Sequence, residues 1–342
     1  MRQRRAILFF VLVVPAVLCT CARVRFPVEE TKIIMDTLVR VSVYRAPGNR
    51  ASVRNTIDRT FEMMKGLEQS LSAHISGSDI SRINEEAGIK QVAVNAPAIK
   101  VLSESIVLSQ MTDGFFDVTV GSVKNLWHFD DPEPAVPSIE EVMEMLGRVD
   151  YTNIKVEDST AALTEKGMYI DLGGVAKGYI IDSAVDFLKQ QGVSAGIVDA
   201  GGDLRIFGTN PRAEFWKIGL LHPRNKQGIA GVILTKEAAI ATSGDYQRFF
   251  FADSVRYHHI LDPRTGFPAR GCISVTIQTD SGLYADALAT AVFVMGPVKG
   301  FDFIQSRKNV EGIIMYEEHG AVKTLVSDGL TNNYHGIETG RK

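Results

Sequence analysis

Over residues 38–44 apolar and polar positions alternate, with Val39, Val41 and Val43 on one side and Arg40, Ser42 and Tyr44 on the other. A period of two is that of a strand with one buried face. From Ser52 the spacing changes. Val53, Ile57, Phe61, Met64, Leu67 and Leu71 recur every three or four residues and predict one long helix with an apolar stripe. A second helix is expected over 97–111, with Ile99, Leu102 and Ile106 inward, ended by Asp113-Gly114. Between the two, Ser78 can cap a short turn of helix holding Asp79, Ile80 and Ile83. His74 to Gly77 is then a loop, a common place for ligand contacts. The stretch 130–137 contains three prolines and reads as a surface excursion, after which Ser138 and Glu141 form a capping box for another short helix.

Residues 170–179, IDLGGVAKGY, join a short apolar strand to a helix in which Ile180, Ile181, Ala184, Val185 and Leu188 repeat at helical spacing, with Gly192 as its stop. Strands are expected over 194–199, 204–207, 215–221, 229–234, 239–242, 247–251, 257–261 and 274–278. A helix over 283–295 stops at Gly296-Pro297, and 312–316 with 321–326 closes the chain as a hairpin. The sum is an α+β fold of interleaved subdomains with a largely antiparallel sheet, a single domain over 32–335.

At 342 residues and 45% hydrophobic content the chain can bury a large core. The amino terminus stands apart. Arg2, Arg4 and Arg5 precede an uncharged apolar run, 6–18, too short to span a bilayer comfortably and without the polar face of a core helix. Residues 1–20 therefore read as an export signal, and Leu18-Cys19-Thr20-Cys21 resembles a bacterial lipobox with Cys21 as the lipidated residue. Thr20 departs from the usual Gly, Ala or Ser. Residues 21–31, polar and aperiodic, are expected to be a tether. Cleavage before Cys21 would take the formal net charge from −3 to about −6, which argues against a nucleic-acid partner, and would leave Cys272 without a disulfide partner.

Four stretches could carry chemistry. In IDLGGVAKGY, Gly173 and Gly174 could aim N–H groups or a carbonyl at a ligand, and Lys177 adds charge to a helix N-terminus; an anion cradle and a merely tight strand-to-helix connection both fit. Asp286 and Thr290, four apart on an otherwise apolar helix, share a face. The carboxylate needs a lysine, an arginine or a cation, and with the hydroxyl it makes a half-site suited to Mg²⁺. In YHHILDPRTGFPA alternation places His258 and Ile260 on one face and His259 and Leu261 on the other; the inward histidine is either a proton acceptor or a hydrogen-bonded core residue. Phe115 and Phe116, beside Asp117, could pack on a flat ligand or in the core.

Taken in order, MDT at 35–37, SDISRIN at 78–84, GFFDVTVG, IDLGGVAKGY, DAGGDLRIFG, HILDPRTGFP and ADALATA make the chain resemble the ApbE-type FAD:protein FMN transferases over residues 33 to about 296. The resemblance implies a membrane-anchored bacterial enzyme, facing the periplasm or the cell exterior, that uses Mg²⁺ to attach FMN from FAD to a threonine or serine of a redox-complex flavoprotein. By position it implies that Met35, Phe115, Phe116, Asp117, Asp171, Lys177, Asp203 and Ile260 hold FAD. Gly174, Asp286 and Thr290 would hold the metal, and His259 would act in catalysis. Where many members have a tyrosine covering the flavin, this chain has His74. Hydrolysis of FAD to FMN and AMP, and flavin binding without catalysis, are the alternatives; retention of Asp286, Thr290 and His259 speaks against the last.

Overall fold

A computed structural model describes residues 27–129 and 131–337. The expected export signal, Cys21 and most of the expected tether lie outside the described residues. The chain opens with β1 (Val28–Ile34) and β2 (Thr37–Arg45), then α1 (Arg50–Leu71), α2 (Asp79–Glu85), β3 (Val92–Ala93), α3 (Ala96–Met111), α4 (Gly121–Lys124) and α5 (Ile139–Leu146). Next come β4 (Ile154–Glu157), β5 (Thr160–Leu163), α6 (Ala176–Gln190), β6 (Ala195–Ala200), β7 (Asp203–Phe207), β8 (Trp216–His222), β9 (Asn225–Thr235) and β10 (Ala238–Gly244). The chain closes with β11 (Phe249–Ala252), β12 (Val255–His258), β13 (Cys272–Thr279), α7 (Gly282–Met295), α8 (Pro297–Gln305), β14 (Glu311–Glu318), β15 (Ala321–Val326) and β16 (Tyr334–Gly336).

Among the described residues the main sheet has eight strands in the order β1-β2-β6-β7-β10-β13-β14-β15, every neighbouring pair antiparallel. Val39, Val41 and Val43 of β2 are buried in the same core as Val53, Ile57 and Phe61 of α1, as their periods require. On the opposite face Ile206, Ile240, Ile313 and Met315 pack against Trp216, Ile218 and Ile233 of a smaller sheet, β16-β9-β8. The result is three layers, helices over sheet over sheet. Central β13 is buried along nearly its whole length, so its sequence carries no alternation.

Caps form as the sequence demands. The Ser78 side chain accepts from Ser81 N, and Ser138 with Glu141 completes its capping box. Four expectations need correction. Residues 28–31, assigned to the tether, belong to β1, an edge strand whose polar side chains face solvent and so mask its period. Residues 170–172 form no strand; Asp171 N donates to Val118 O instead of a sheet partner. Gly296 does stop α7, with φ of 80°, but Pro297 begins α8 at once, as a proline at a first helical position can. The strand expected over 257–261 ends at His258, because the chain turns to form the Asp262 to Phe267 loop. His258, Ile260 and Leu261 are therefore all buried, which strict alternation would forbid.

Candidate active site

Helices α6 and α7 cross where two glycines meet. A Cβ on Gly178 would stand 2.1 Å from the Gly282 carbonyl oxygen, so only glycine permits this approach. Asp182 of α6 caps the N-terminus of α7, accepting from Gly282 N at 2.8 Å, Leu283 N at 3.2 Å and Ser281 Oγ at 2.9 Å. Arg205 Nε, 3.0 Å away, pairs the same carboxylate. Neither Asp182 nor Arg205 stood out in the sequence, since a cap supplied from another helix leaves no local pattern.

The crossing brings Asp286 beside the first turn of α6. Gly178 N donates to Asp286 Oδ2 at 3.0 Å, and Lys177 Nζ lies 3.8 Å from Oδ1 while ion-paired to Asp203. Asp286 is only 5% exposed. Burial pushes its carboxyl up to about 7; Lys177 opposes that shift and the Asp203 charge adds to it. Lys177, disfavoured by burial but facing two carboxylates, is held above the ordinary lysine range. One lysine thus serves two acids.

Thr290 Oγ1 points into the same corner, 3.2 Å from Ser243 Oγ, and a Cβ on Gly174 would stand 3.3 Å from it. Neither Gly173 nor Gly174 has a positive φ, so the pair acts through its small size rather than through unusual backbone angles. Thr290 thus packs against Gly174, and Asp286 stands one turn before it on α7. All are oxygen donors, the set that suits a hard cation such as Mg²⁺. Among the described residues no three His, Cys, Asp or Glu side chains come together as a closed metal cage. Thr242 N donates to Asp203 Oδ1 at 3.3 Å, and past it opens a cavity of about 440 Å³ lined by Gly201, Gly202, Thr242 and Leu220.

The two histidines have different environments. His258 is 2% exposed, its Nε2 donates to Ala269 O at 2.9 Å, and its Nδ1 accepts from Ile260 N at 3.3 Å. Both ring nitrogens are engaged, and burial pushes it down to about 4. It is the core histidine. His259 is half-buried; its Nδ1 donates to Arg248 O at 3.2 Å, which leaves the Nε2 lone pair able to accept a proton. Burial, Lys124 and Arg248 push it down to about 3, so it is neutral near pH 7.

The remaining expected residues surround this corner. Met35 and Asp36 form the tight turn between β1 and β2 with φ of 57° and 54°, conformations unfavourable for residues other than glycine. Met35 N donates to Glu68 Oε1 at 2.8 Å, and Gly201 packs on neighbouring Thr37. Phe115 and Phe116 are buried; Arg264 lies 3.7 Å over the Phe115 ring, which joins the Asp262 to Phe267 loop to it. Asp117 is occupied within the chain, accepting from Thr119 N at 2.8 Å and Tyr151 N at 2.9 Å. That makes it a structural cap. Asp171 is 10% exposed and pairs with Lys124, which sequence reasoning missed. Burial would raise its carboxyl, but Lys124 and the Gly173 N–H outweigh that and hold it at about 2. His74 is exposed on a loop that Tyr169 Oη ties down through Ala73 O at 3.1 Å. Ile260 is buried beside His259.

The ApbE family model matches residues 35–314, the span that supplies every element of this corner. The chain belongs to the ApbE family. An FAD:protein FMN transferase of Vibrio cholerae is 33% identical over 299 residues, 84% of this chain and 88% of that protein. One from Treponema pallidum is 31% identical over 316 residues, 87% of this chain and 86% of the relative. Among solved structures, the ApbE protein of Thermotoga maritima superposes with a TM-score of 0.82 at 34% identity, covering 90% of this chain and 99% of its own. The flavin transferase ApbE of Vibrio cholerae gives 0.80 at 30% identity with the same coverage. The α+β architecture is that of ApbE flavin transferases.

Proposed function

We infer that this ApbE-family chain is an FAD:protein FMN transferase that moves the FMN part of FAD to a threonine or serine hydroxyl of an acceptor flavoprotein. The observation that supports the reading is buried Asp286 3.8 Å from Lys177, with Thr290 one turn further along α7 and packed against Gly174, oxygen-bearing groups of the kind a hard cation takes. The names of the relatives support the same activity. Mg²⁺ held by these groups supplies charge neutralisation at the pyrophosphate of FAD. Lys177, anchored by Asp203, faces the same anion and steadies the charge leaving with AMP. His259 Nε2 takes the proton as the acceptor oxygen bonds to the FMN phosphorus and the bond from that phosphorus to the AMP oxygen breaks. Met35, Phe115, Phe116, Asp171 and Ile260 contact FAD, with His74 at the rim.

Water can replace the acceptor hydroxyl, and exposed His74 in place of a larger tyrosine cover favours some hydrolysis. The acceptor is a redox-complex subunit reached outside the cytoplasm, with the enzyme tethered by lipid on Cys21. The test is to incubate the full-length protein with FAD and Mg²⁺, with and without a candidate acceptor, and measure AMP and the acceptor mass. An acceptor gaining the mass of FMN supports transfer. AMP release without any acceptor labelling would replace it with hydrolysis.

A further inference from the structure

The cavity of about 440 Å³ beyond Thr242 lies beside an open sheet edge. Ile218, Gly219, Leu220 and Leu221 of β8 all line it, although consecutive residues of a strand point to opposite faces. A cavity that meets all four runs along the edge of the strand. β9 occupies the other edge, and β8 has no second strand partner among the described residues. Exposed edges are commonly blunted by a charge or a proline, and residues 218–221 carry neither. Leu221 is 64% exposed, and Leu204 and Phe249 continue the apolar lining. The charged side chains in the lining are Arg224 and Arg256, which share one carboxylate, Asp245.

Two other parts of the lining adjoin the reacting groups. Gly201 and Gly202 immediately precede Asp203, and Thr242 N donates to Asp203 at 3.3 Å, so this wall is one hydrogen bond from the Lys177 ion pair. Gln247 and Phe249 also line the cavity, and Gln247 Nε2 donates to Thr242 O at 3.0 Å. Between those two residues the Arg248 carbonyl accepts from His259 N at 3.1 Å and from His259 Nδ1 at 3.2 Å. Met35, Phe115, Asp171 and Ile260, which contact FAD in the reading above, do not line it.

We propose that this cavity and the open edge of β8 form the docking groove for the acceptor flavoprotein, which lays an extended segment against β8 and presents its threonine or serine hydroxyl to His259. The proposal rests on the transferase reading above. Backbone pairing along a strand edge is open to a polypeptide and not to FAD or another small ligand, and that favours the acceptor as occupant. The segment carries an apolar side chain for the cavity and a carboxylate for the end held by Arg224 and Arg256.

The test uses the full-length protein and the flavoprotein that the wild type labels with FMN, its labelled threonine or serine replaced by alanine so that binding is read without turnover. Adding this acceptor should slow amide hydrogen exchange over β8 by roughly tenfold or more. With the unaltered acceptor, Leu221→Lys should raise its KM in FMN transfer by roughly tenfold and Arg224→Gln by roughly threefold, with smaller changes in the KM for FAD. Exchange over β8 that the bound acceptor leaves unaltered, or an unchanged acceptor KM in both folded variants, would overturn the proposal. Protection of β8 in the protein alone, together with a dimer in sedimentation, would assign the edge to a second copy and overturn it as well. A wild type that labels no flavoprotein defeats the transferase reading and this proposal with it, whereas normal labelling with an unaffected β8 removes the groove alone.

Discussion

Lys177 Nζ is ion-paired with Asp203 and stands 3.8 Å from Asp286 Oδ1, so a single ammonium is shared by two buried carboxylates. Burial, with the Asp203 charge adding to it and Lys177 opposing it, raises the Asp286 carboxyl to about 7. Its ionised form is disfavoured in the fold, so the stability it lends is present at low pH and is lost as pH rises through about 7. At pH 8, Asp286→Asn should therefore leave the metal-free protein at least as stable as wild type. It should also abolish the rise in melting temperature with added Mg²⁺ and reduce FMN transfer by roughly a hundredfold or more. Equal stabilisation by Mg²⁺ in both proteins would remove Asp286 from the metal site.

Asp171 gives the opposite pH dependence. Its carboxyl is held at about 2 against an unfolded value near 4, so its contribution is complete above about pH 4 and disappears as pH falls through 2. Denaturant unfolding of Asp171→Asn should show a deficit on the order of 2 kcal/mol at pH 6 that shrinks toward pH 2. A deficit independent of pH would mean that the Lys124 pair does not govern this carboxylate.

Two glycines in helices should respond very differently to alanine. Gly178→Ala drives a methyl into the Gly282 carbonyl, 2.1 Å away, and should cost about 3 kcal/mol or more while displacing Asp286 from its N–H donor. Gly66 in α1 has nothing within 4 Å of an added Cβ, so Gly66→Ala should stabilise by up to about 1 kcal/mol. Urea midpoints measure both, and equal effects would refute a helix crossing set by glycine.

His74→Tyr should tilt the reaction toward transfer. A phenol ring covers more apolar surface than an imidazole and excludes water better, so AMP release without acceptor should fall and FAD should bind more tightly. Identical AMP release, acceptor labelling and FAD affinity would show that His74 does not reach the flavin.

Cys21→Ser should release the protein from membranes or stall its processing, since two or more acyl chains give stable attachment at roughly 0.8 kcal/mol per buried methylene. Unchanged partitioning into detergent would assign the attachment to something other than lipid on Cys21.

The sequence by itself determined the elements whose burial has one period, such as β2, α1 and the capped starts of α2 and α5, because there the local pattern and the tertiary demand coincide. It also placed Asp286 and Thr290 on one face, since helical spacing alone requires it. Tertiary structure decided the rest. Alternation could not say which histidine faces the core, because the strand ends at His258 and the loop folds the next residues in. Gly173 and Gly174 could be read either as aiming backbone groups at a ligand or as permitting a tight connection, and what crowds them is Asp171 and Thr290, the latter from a helix more than a hundred residues away. Lys124, Asp182 and Arg205 left no trace in the sequence for the same reason: the partner of each charge is distant along the chain, and only packing brings it close.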